Sequence, residues 1–78
     1  MKHHYLILIS YFDTIGNKKV SHNSSFYGTS GQVEKKIKKQ LHWFSTMTTN
    51  RGVRIAKDIK IDLLRIDKLT HIKTYKEA

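Results

Sequence analysis

The chain contains no cysteine and no proline, only four glycines, and six acidic residues against fifteen basic ones. Each shortage closes something off. Without cysteine there are neither disulfides nor thiolate metal sites to support a small fold. Without proline, and with glycine so sparse, the 78 residues do not read as a flexible linker, and a single domain, 1–78, accounts for them. A domain of this size lies near the lower limit at which an apolar core suffices unaided. Long apolar runs are missing too. MKHHYLILIS holds an apolar run of about five residues before Ser10, and Asp13 follows, which is too short for a signal sequence or a membrane span. The sequence therefore points to a cytoplasmic protein with no membrane partner.

What the chain does have is positive charge. The net charge is +9, unevenly spread: residues 32–52 hold five basic residues against one acidic, a denser excess than in 1–31 or 53–78. A field of this kind attracts polyanions, either nucleic acid or an acidic protein.

Three apolar runs carry the structure. Tyr5 to Phe12, YLILISYF, is short, aromatic and branched, which favours a strand. Tyr5, Ile7, Ile9 and Tyr11 share one of its faces, Leu6 and Leu8 the other, so it belongs in the middle of a sheet. Gly16-Asn17 marks a hairpin turn into a polar edge strand ending near Gly28. Asn23-Ser24-Ser25 fits a glycosylation acceptor, which is idle in the cytoplasm. Thr29 with Gln32 reads as a capping box, Ser30 being the competing N-cap. Val33, Ile37, Leu41, Phe44 and Met47 then recur at helical spacing, and the helix should end in the threonine-rich TMTTNRG, where Asn50 and Gly52 suit a C-terminal stop. Residues 53–69 satisfy a helical stripe (Ile55, Ile59, Leu63, Ile66, Leu69) and an alternating strand; the density of isoleucine and valine between Val53 and Ile61 favours strand. The doublet Leu63-Leu64 breaks the alternation, where a bulge or strand end is expected. Residues 70–78 are polar and read as a frayed tail.

The expected fold is α+β: a β-β-α-β domain with a three-stranded sheet of antiparallel type, order 2-1-3, one helix on one face and a right-handed crossover. One helix covers one face. The other, carrying either the Tyr5-Ile7-Ile9-Tyr11 row or the Leu6-Leu8 row, needs a lid. The Tyr5, Ile7, Ile9 and Tyr11 row is taken as the interface, pointing to a homodimer through the uncovered sheet face.

Catalytic constellations are hard to find. Glu34 suits a helix N-terminus, and Asp58 and Asp62 lie beside lysines on a strand's solvent face. The five histidines have no metal-ligand spacing, and no glycine-rich phosphate loop occurs, so the reading is of a non-enzyme with no metal and no cofactor. Binding remains. Lys35, Lys36, Lys38 and Lys39, with His42, Trp43 and Arg51, are the expected polyanion-binding residues. Lysines outnumber arginines twelve to three, which suits backbone contact better than base reading. Trp43 is placed either to stack on unpaired bases or to pack at the edge of the helix–sheet contact, with Tyr27 and Tyr11 as more remote stacking candidates. The first reading is a nucleic-acid backbone binder. The rival is a protein-interaction module or inhibitor docking on an acidic partner, a type of small basic protein often encoded by phages and mobile elements.

Overall fold

The computed structural model describes residues 1–77. The order is β1 (His3–Asp13), β2 (Lys18–Gly28), α1 (Ser30–Thr46), β3 (Ala56–Arg65) and β4 (Thr70–Lys76). All neighbouring strands pair antiparallel in one sheet, β2-β1-β3-β4, with α1 packed on one face. The α+β class and the 2-1-3 core are as expected; the three-strand count is not. The segment read as a frayed tail forms β4, because Tyr75 lands opposite Ile61 and packs against the core. Ala78, the last residue of that expected tail, lies outside the described residues.

The core comprises Tyr5, Ile7 and Ile9 of β1, Val33 and Ile37 of α1, and Ala56, Ile59, Ile61 and Leu63 of β3. This reverses the face assignment made for β1. Tyr5, Ile7 and Ile9 lie beneath the helix, with Tyr11 half-buried against Phe44, ring centroids 5.2 Å apart, so this row is not an interface open to a second copy. Register explains it: Ile7 pairs with Leu63 and Ile9 with Ile61, placing these four side chains of the two central strands together on one side. Leu6, Leu8, Ser10 and Phe12 point to the open face, all half-buried.

The ambiguous third run is a strand. The irregularity expected at Leu63-Leu64 appears in its pairing with β4, where Leu63 faces Lys73 and Leu64 faces His71, leaving Ile72 as the extra residue. A second shift occurs opposite Tyr11, where β3 accommodates Asp58 at φ 53°.

α1 starts where its cap was read. The Thr29 hydroxyl accepts from the Gln32 amide (3.2 Å) and the Gln32 side chain accepts from the Thr29 amide (2.9 Å). Gly28 makes room for this: a Cβ there would come within 2.6 Å of Gln32 Oε1 and of the Phe26 ring. Thr29→Ala is expected to lower stability by about 0.5–2 kcal/mol, measured by urea denaturation, and an unchanged midpoint would show the cap to be idle. The helix ends at Thr46, the first residue of the TMTTNRG stretch in which its end was expected. The Met47 carbonyl accepts from the Ile55 amide (3.0 Å), and residues 48–54 turn back as a small hairpin in which Gly52 takes φ 78°. Asn50 and Gly52 therefore serve that turn and not the helix terminus. No helix among the described residues is long and apolar enough to cross a membrane.

Candidate polyanion-binding surface

Burying Val33 and Ile37 fixes the roll of α1. With 3.6 residues per turn, positions 35, 38, 39, 42 and 46 must then face away from the sheet. Lys35, Lys38, Lys39, His42, Trp43 and Thr46 together line a shallow depression on that outer surface. Trp43 is 59 % exposed, its ring edge-on to Phe44 at 5.0 Å, so it stands at the rim of the depression and does not fill the helix–sheet contact. Lys38 shares its charge with Glu34, one turn back, at 3.7 Å. Lys35 and Lys39 belong to none of the ion pairs found among the described residues.

Two of the expected residues stand apart. The Lys36 amine lies 5.1 Å from the centre of the Phe26 ring, on the β2 side, and Arg51 sits in the turn beyond the helix; neither lines the depression. Tyr27 is 58 % exposed on the open sheet face, against His4 (4.5 Å), opposite the helix, while Tyr11 is held under α1.

The open face carries a second basic cluster that could not be read from the sequence. Phe12 faces both Lys19 and Lys57, Ser10 faces Lys60, and Lys60 faces Lys76. Three strands contribute these lysines, so only the register brings them together.

Beside them, Asp62 accepts from the Thr74 hydroxyl (2.5 Å) and lies 3.3 Å from His71 Nε2 and 3.7 Å from the Lys60 amine. The Thr74 hydrogen bond above all holds the Asp62 carboxyl below the usual carboxylate range; burial, the next largest effect, opposes it, and His71 and Lys60 add to the lowering. His71 touches Asp62 and Thr74 through the same ring nitrogen. The imidazole therefore does not bridge hydroxyl and carboxylate through its two nitrogens, as a nucleophile relay requires. The Asp62 carboxyl ties this network to the stability of the fold. A depressed carboxyl stabilises the fold above its unfolded pKa of about 4 and loses that contribution as pH falls through the folded value. Thr74→Val is expected to lower the melting temperature at neutral pH and to converge with the parent in acid. An equal deficit at both pH values would assign the loss to packing alone.

Among the described residues no three His, Cys, Asp or Glu side chains gather into a group that could hold a metal ion. No protein-family model, curated protein or solved structure matches this chain.

Proposed function

We propose that the chain is a small non-enzymatic binding protein that docks on the phosphate backbone of nucleic acid through the outer face of α1, with weak sequence preference. The observation that carries this reading is the grouping of Lys35, Lys38, Lys39 and His42 around an exposed indole. Lysine ammonium groups neutralise phosphates without selecting bases, and an exposed aromatic ring adds stacking on any unpaired base. A cytoplasmic setting, expected from the sequence, is part of the same proposal.

Trp43 is the only tryptophan, so its fluorescence reports on the site directly. Titration with a single-stranded oligonucleotide is expected to quench that emission. Inorganic polyphosphate should compete for the same site without quenching, having no bases to stack. Three neutralised phosphates on a single strand would give a log–log salt slope of about −2. Absence of salt-dependent oligonucleotide binding would overturn the proposal.

The second reading, a protein-interaction module or inhibitor docking on an acidic protein, draws support from the open sheet face. There Leu6, Leu8, Phe12 and Leu64 remain half-exposed beside a lysine cluster, an apolar surface with a basic rim. Binding of an acidic polypeptide that survives loss of the helix lysines would favour it.

A further inference from the structure

The two edges of the sheet are finished differently. β4 has seven residues, carries Lys73 and Lys76, and is interrupted by the extra residue Ile72. β2 has eleven residues and pairs with β1 without a register shift. From Val20 to Gly28 it carries no charge, in a chain where 27 % of residues are charged. Residues 21–25 are all exposed. Sheet edges of folded proteins are ordinarily closed by charges, proline, a bulge or a covering segment, because their free N–H and C=O groups will pair with another strand. The central stretch of β2 has none of these.

We propose that β2 pairs antiparallel with β2 of a second copy, making a symmetric dimer with one continuous eight-stranded sheet, four strands from each chain. The charge pattern selects this occupant and orientation. Lys18 and Lys19 lie at one end of the strand only. A two-fold axis through Asn23 or Ser24 sets them opposite residues 27–30 of the other copy, which carry no charge. Parallel in-register pairing would instead stack lysine on lysine, and directly opposed like charges destabilise a sheet. Antiparallel pairing across the uncharged stretch completes roughly eight hydrogen bonds between backbone groups that otherwise face water. Because the axis runs perpendicular to the sheet, both helices lie on the same side and the two lysine strips sit next to each other. The dimer does not depend on what those strips bind.

Light scattering or sedimentation over a concentration series is expected to show the mass rising toward twice the 9.2 kDa of the chain. Over the same series, hydrogen exchange should slow at alternate amides between Val20 and Gly28, those turned away from β1. The double substitution Asn23→Lys and Ser24→Lys, at two exposed positions, places lysine against lysine at the axis and is expected to hold the chain as a folded monomer, with its circular dichroism spectrum and thermal transition retained. The native protein staying at 9.2 kDa at every concentration would overturn the proposal. So would a double variant that still dimerises, or a dimer in which β2 exchange does not change; either result would place the contact elsewhere.

Discussion

Replacing Ile37 by alanine is expected to destabilise the protein by about 2–5 kcal/mol, through lost transfer energy and the cavity left behind. Ile37 is fully buried and reaches the core at the middle of α1, the one helix among the described residues and the main cover of that face of the sheet. A domain of this length has a total stability of roughly 4–12 kcal/mol, so the loss would be a large share of it. The melting temperature should fall by roughly 10 °C or more. Leu41→Ala, one turn on at a position only half-buried, should cost less, and Trp43→Ala, on an exposed flank of the helix, should cost little. A ranking in which Trp43→Ala exceeds Ile37→Ala would mean that the helix is rolled differently on the sheet.

The second large effect concerns binding. Reversing Lys35, Lys38 and Lys39 to glutamate replaces three positive charges with three negative ones around Trp43. Oligonucleotide binding should fall below detection at moderate salt, while the thermal transition stays close to that of the parent, because all three side chains are exposed. Single Lys35→Ala or Lys39→Ala changes should each reduce the magnitude of the salt slope by about 0.7, with no change in sequence preference. Lys36→Ala should change the slope less, since its amine is turned toward Phe26. If the triple variant binds oligonucleotide as well as the parent, the helix strip is only a solvated face. The cluster of Lys19, Lys57, Lys60 and Lys76 on the open sheet face would then be the next surface to test.

Local sequence chemistry announced much of this architecture. The Thr29–Gln32 cap, the hairpin turn at Asn17 (φ 55°) and the helical spacing of Val33 and Ile37 are decided within a few neighbouring residues. So is most of the helix strip, because once the apolar stripe is known the outward positions follow from the helical repeat. Lys36 departs from it for the same reason: it falls on the flank toward β2. Features set by pairing between distant strands were not legible. Both faces of β1 are apolar, and only the register with Ile61 and Leu63 decides that the Tyr5 row goes under the helix. β4 has Ile72 and Tyr75 as its only apolar residues, and as an edge strand it needs few more, so its composition resembles that of a solvated tail. The lysines of the open face are separated along the chain and meet only when β1, β2, β3 and β4 are in register.

The central place of β1 also sets the order of assembly. Ile7 meets Ser24, 17 positions further on, and Leu63, 56 positions further on. The first pairing closes a local hairpin, an event of microseconds, whereas the second has to bring together residues most of the chain apart. In the interval, Tyr5 to Phe12 stands as an uncharged aliphatic and aromatic strand paired along one side only, the composition that seeds intermolecular β-stacking. Once β3 docks, both sides of that strand are occupied. A change that delays the arrival of β3 is therefore expected to lower the yield of soluble protein during synthesis, even where the finished fold is no less stable.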